Sequence, residues 1–186
     1  MLGKNQTVGQ TFGKGSLKKF FGEHYALLSI LIGFLLVALS IGPYRNGDTS
    51  WEYDAVSGVL KYGLPYTNGF YLMDQPPLGF YIQAGFAKVF GLSMNNGTFL
   101  VTMFGLGAVI LVYLIGKEVY SKTTGFFAAL LFTFAPWFLI MSRIMLIDVP
   151  CLFFSLLSLF LGIIAIKRGA SIVSEAVIAV RLSAAK

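Results

Sequence analysis

The chain has 186 residues, 56% hydrophobic and 12% charged, with a mean hydropathy of +0.77 and a formal net charge of +6. Soluble domains carry about 25% charged residues, so this composition excludes an ordinary water-soluble globule and predicts an all-α integral membrane protein. The single cysteine, Cys151, rules out an internal disulfide or a zinc cluster built from thiolates. The basic excess lies beside apolar runs rather than along a soluble face, which argues for membrane topology and against a nucleic-acid partner.

Residues 1–24 carry Lys4, Lys14, Lys18 and Lys19 ahead of the first apolar run. No small-residue cleavage site closes that run and Pro43-Tyr44-Arg45 follows it, so it reads as an uncleaved signal anchor with a cytoplasmic N-terminus. Four segments, about 25–42, 98–116, 124–141 and 150–166, have the length and apolarity of membrane helices. Alternating them from the basic N-terminus puts 43–97 outside, Lys117 and Lys122 inside, Arg143 and Asp148 outside, and Lys167-Arg168 inside. Three basic clusters, at the N-terminus, at Lys117 and Lys122 and at Lys167-Arg168, then sit where the positive-inside rule wants them.

The loop 43–97 contains two further helical patterns. Leu78–Gly91 is apolar but too short for a comfortable span, and reads as a surface helix with Phe80, Tyr81 and Phe86 in the membrane interface. Ser50–Tyr62 places Trp51, Ala55, Val56, Val59 and Leu60 at helical spacing and predicts a second such helix. Asn96-Gly97-Thr98 is a formal glycosylation acceptor on the same side. The segment 167–186 reads as a cytoplasmic tail, amphipathic or the result of truncation.

Of eight acidic residues, Asp48, Glu52, Asp54 and Asp74 fall in the first outer loop, and Asp148 lies between the last two apolar runs. Ionised groups near hydrocarbon are costly unless paired or employed, so these acids are the first place to look for chemistry. The spans themselves are almost free of ionisable residues, which ranks an ion or proton pathway last. The non-catalytic reading makes Arg143 a snorkelling anchor, Asp148 a helix cap, Glu52 and Asp54 solvated positions, and Trp51, Tyr66, Tyr71 and Trp137 an aromatic belt.

Three stretches carry a pattern: Asp48-Thr49-Ser50-Trp51-Glu52-Tyr53-Asp54, then Tyr71-Leu72-Met73-Asp74-Gln75-Pro76-Pro77-Leu78-Gly79, then Ser142-Arg143-Ile144-Met145-Leu146-Ile147-Asp148. With Gly63-Leu64-Pro65-Tyr66 between the first two, their order resembles the N-terminal part of the GT-C superfamily of polyprenyl-phosphate-sugar-dependent glycosyltransferases. The pattern is most similar to the protein O-mannosyltransferases and the aminoarabinose transferases that modify lipid A. The resemblance implies an inverting transfer from a lipid-linked donor to a protein or lipid acceptor on the extracytoplasmic face of a prokaryotic plasma membrane. Within it Asp48 is the candidate base, Arg143 the stabiliser of the departing phosphate, and Asp148 a partner that holds Arg143, orients the acceptor or shares a metal with Asp48. Asp74, Gln75, Glu52 and Tyr53 are the candidate substrate-binding residues; relatives often have lysine or histidine at the position of Gln75. No cofactor is required by the pattern, and a divalent metal is left open. Such enzymes usually have more spans, which predicts a separate C-terminal half or an oligomer as partner. The alternative is a truncated or non-catalytic subunit that binds lipid-linked sugar.

Overall fold

A computed structural model describes residues 27–38, 47–67, 69–71 and 75–184, with side chains through 169. The fold is helical, as the apolar periodicity predicts. In chain order it comprises α1 (Leu27–Ala38), α2 (Gly47–Tyr62), the strands β1 (Tyr66–Thr67) and β2 (Phe70–Tyr71), α3 (Leu78–Phe90), α4 (Met94–Val119), α5 (Lys122–Thr133), α6 (Pro136–Met141) and α7 (Asp148–Ala184). The small antiparallel hairpin, with Tyr66 opposite Tyr71 and Thr67 opposite Phe70, is the one departure from an all-α architecture among the described residues.

Among the described residues two helices are long and apolar enough to cross a membrane, α4 and the Asp148–Gly169 part of α7. At 1.5 Å per residue α4 reaches about 39 Å, enough for a hydrocarbon core of about 30 Å. The expectation of about four spans is not confirmed. Of the segment 25–42 only Leu27–Ala38 is described, and the predicted span 124–141 is divided into α5 and α6. Pro136 is the physical reason for the break: it lacks an N–H, disfavours helical backbone at the residue before it, and Ala135 accordingly adopts an extended conformation with ψ 119°. Pro136 then opens the six-residue α6.

Small residues set how closely the bundle packs. Gly116 and Gly125 meet where α4 crosses α5, and a Cβ on Gly125 would lie 2.4 Å from the Tyr113 carbonyl oxygen. The turn between them is capped by Ser121, whose hydroxyl accepts from the Thr124 N–H at 3.1 Å. The main core joins Phe34 of α1, Val101, Ala108 and Val109 of α4, Ala129 of α5 and Phe138 of α6. By contrast α7 turns Leu159, Leu161 and Ile166 outward, an apolar surface that suits lipid better than water.

The two ends of the bundle differ. At one end Lys167 of α7 reaches α4, bonding the Glu118 carbonyl and pairing with its carboxylate at 3.3 Å. At the other end the connection between α6 and α7 packs against three helices. Thr102 of α4 donates to the Ser142 carbonyl at 2.9 Å. Met145 lies against Gly97 of α4, and Ile147 lies against Gly79 of α3. Ala55 and Val56 of α2, Phe80 and Ala84 of α3, and Met145 and Ile147 form a second apolar cluster there.

Asn96, the formal glycosylation acceptor, is used structurally. Its side-chain amide donates to the carbonyls of Phe90 at 2.7 Å and Gly91 at 2.9 Å, closing the C-terminal end of α3. Thr98 of the same tripeptide is buried within α4.

Candidate active site

The site is built where α2, α3 and the connection before α7 meet. On α2 the inward row is Thr49, Glu52, Ala55 and Val56, residues three and four apart that share one face of a helix. This corrects the reading of Glu52 as a solvated position: it is 4% exposed, whereas Trp51, expected on the apolar face, is 46% exposed. Asp54 is exposed, as a solvated position should be. Asp48 stands one turn before Glu52 at the start of α2 and is exposed.

Glu52 is drawn into the second cluster beside Ile147. Its burial pushes the carboxyl up to about 8. The Ile147 N–H works against that shift by favouring the ionised form, while the negative charges of Asp148 and Asp48 reinforce it. The two acids that most resemble catalytic groups therefore both lie within electrostatic reach of one buried carboxyl. Asp148 is exposed at the first turn of α7, where the helix dipole favours negative charge.

Arg143 does not snorkel. It is 9% exposed, and its Nε and Nη1 are buried with no hydrogen-bond partner. It forms no ion pair with Asp148, although the two bracket the same short connection. Gln83 of α3 is 2% exposed and leaves both amide atoms unpartnered; one turn earlier on its row, Gly79 touches Ile147. Gln75 is half-buried with Oε1 unpartnered, and Tyr53 packs beside the second apolar cluster. Asp74 lies outside the described residues. Gln83 was not singled out from sequence, and the available signal was a polar residue on the apolar row Gly79, Phe80, Gln83, Ala84.

Buried polar groups are ordinarily hydrogen-bonded, so Glu52 Oε2, Gln83 and Arg143 form an unusual set. Among the described residues no three His, Cys, Asp or Glu side chains are grouped so as to hold a metal ion.

Comparison with known proteins places this apolar helical bundle in the GT-C superfamily of membrane glycosyltransferases. Residues 74–182, more than half of the chain, match the family described as dolichyl-phosphate-mannose-protein mannosyltransferase, and the chain belongs to that family. The match includes Arg143 and Asp148 and begins after Asp48 and Glu52. The chain is also 31% identical over 101 residues to "Putative mannosyltransferase YkcB" of Bacillus subtilis (strain 168). That alignment covers 54% of this chain and 14% of the relative's length. No solved structure matches.

Proposed function

We propose that this chain forms the membrane-embedded donor and acceptor site of an inverting glycosyltransferase. It takes a sugar from a polyprenyl-phosphate carrier and passes it to a hydroxyl of a protein or lipid acceptor on the extracytoplasmic face. The observation that carries this reading is Arg143, a guanidinium buried in the connection between α6 and α7 with two nitrogens unpartnered. A buried cation without a counter-charge is strongly unfavourable, so the site is built to receive an anion. A phosphate matches the planar donor fork of arginine.

Asp48, exposed at the start of α2, takes the proton of the acceptor hydroxyl. The acceptor oxygen then bonds to the anomeric carbon from the face opposite the carrier. The bond from that carbon to the phosphate oxygen breaks, and its electron pair leaves with the polyprenyl phosphate. Arg143 stabilises the charge that gathers there. Glu52, protonated at neutral pH, keeps a third negative charge away from this region and fixes α2 against Ile147. Asp148 orients the acceptor, and Asp74, Gln75, Tyr53 and Gln83 shape the pocket.

The supporting facts are the family match, the common location of the acids and the unsatisfied state of Arg143. The test is transfer from polyprenyl-phosphate mannose by the intact protein in bilayers. Asp48→Asn should lower turnover by roughly 10²–10⁴-fold, the range expected for a general base. Turnover unchanged by this substitution would remove Asp48 from the chemistry.

A further inference from the structure

Beyond the acids, the hairpin and the end of α2 border an open surface pocket of about 260 Å³ lined by Tyr62, Tyr66 and Tyr71. The rings of Tyr62 and Tyr66 meet edge to face at 5.5 Å and 71°, and those of Tyr66 and Tyr71 at 5.2 Å and 65°. Among the described residues no charged side chain lines it. The three rings border the same open pocket, and each brings a phenolic hydroxyl able to donate and accept.

The frame around these rings is held in place. Tyr66 lies with its backbone directly over Gly58 of α2, where a Cβ would come 2.5 Å from the Tyr66 nitrogen. Tyr81 of α3 donates to the Gly63 carbonyl at 3.0 Å, tying the loop before the hairpin to the next helix. Gly63 itself adopts φ +77°, a conformation that side-chain-bearing residues rarely take. The hairpin then runs back along α2, so that Phe70 meets Trp51 at 5.9 Å, one residue before Glu52.

We infer that Tyr62, Tyr66 and Tyr71 form a saccharide subsite that holds one neutral pyranose ring of a glycan-bearing acceptor. The pocket is smaller than the roughly 300–1,000 Å³ of drug-sized sites, which suits a single ring. A pyranose has apolar C–H faces for the rings and a rim of hydroxyls for the phenols. A membrane-interface belt would ask each tyrosine to face headgroups independently, and it would not require three rings packed around a common space.

Along α2, Tyr62 lies about 20 Å from Asp48, so the ring held in the cradle is several sugar units from the reacting carbon. Contacts at that distance hold the acceptor in register while the hydroxyl at its far end meets the base. The inference rests on the glycosyltransferase reading for its role in catalysis, but saccharide binding can be measured separately.

The test is titration of the intact protein in nanodiscs with mannotriose, followed by saturation-transfer NMR, for the native chain and for Tyr62→Ala, Tyr71→Ala, Tyr71→Phe and Asp54→Asn. The alanine variants should bind about tenfold more weakly, as expected when one ring contact is lost. Tyr71→Phe should fall between native and alanine, and Asp54→Asn, at an exposed position outside the site, should bind as the native chain does. If the native chain fails to bind, or if the alanine variants bind like the native chain and differ only in bilayer partition, the subsite is overturned. Tyrosine-dependent binding without any transfer would overturn the transferase reading and leave the subsite standing.

Discussion

At the scale of single residues, burial separates side chains that look alike in sequence. Glu52 and Asp54 stand two apart on α2; one enters the apolar cluster and the other faces solvent. A carboxyl whose folded-state pKa is raised binds its proton more tightly folded than unfolded. Stability is therefore highest below the ordinary value of 4.5, falls as pH rises toward about 8, and is flat above it. Glu52→Gln should remove that slope in thermal unfolding followed between pH 4.5 and 8. Arg143→Met makes the opposite trade. Replacing an uncompensated buried cation with an apolar side chain should raise the melting temperature by about 2–4 °C, while transfer falls by roughly 10²–10³-fold. A destabilised Arg143→Met variant would mean that Arg143 has a counter-charge in the resting protein.

Secondary elements show where sequence reading works and where it stops. The positions of α2, α3, α4 and α7 were legible because each carries an apolar run or apolar residues at helical spacing, and α3 is as short as the run Leu78–Gly91 implies. The face of α2 was not legible. Trp51 is apolar enough to suggest the inward row, yet the hairpin meets it from outside through Phe70, and Glu52 takes the inward position. The break between α5 and α6 was written in Pro136 but hidden by the continuous apolarity around it. The acids of the first loop and Asp148 stand out in the sequence by their scarcity, whereas the burial of Arg143 and Gln83 arises from packing between elements far apart in the chain, of which Ile147 against Gly79 is one contact. Two substitutions test these junctions. Pro136→Ala should join α5 and α6 into one helix and shift Arg143, seen as loss of transfer with retained expression. Gly125→Val should force α4 and α5 apart and destabilise the bundle by about 1–3 kcal/mol, measured by denaturant unfolding in micelles.

For the whole molecule, the account depends on polarity between the two ends of the bundle. Glu118 and Lys167 mark one end, and α2, α3 and the connection 142–147 mark the other. Family membership and the outward apolar face of α7 make this an integral membrane protein, and the proposed chemistry requires the acid-bearing end to meet the lipid-linked donor. The basic residues near Lys117 and Lys167 would then lie on the cytoplasmic side, as their charge favours. The most direct measurement is labelling by a membrane-impermeant thiol reagent of single cysteines placed at Asp48, Asp148 and Tyr120, all exposed, in a Cys151→Ser background in intact cells. The account predicts that Asp48→Cys and Asp148→Cys label from outside and that Tyr120→Cys labels only after the membrane is opened. Labelling of positions 48 and 148 from opposite sides would contradict it.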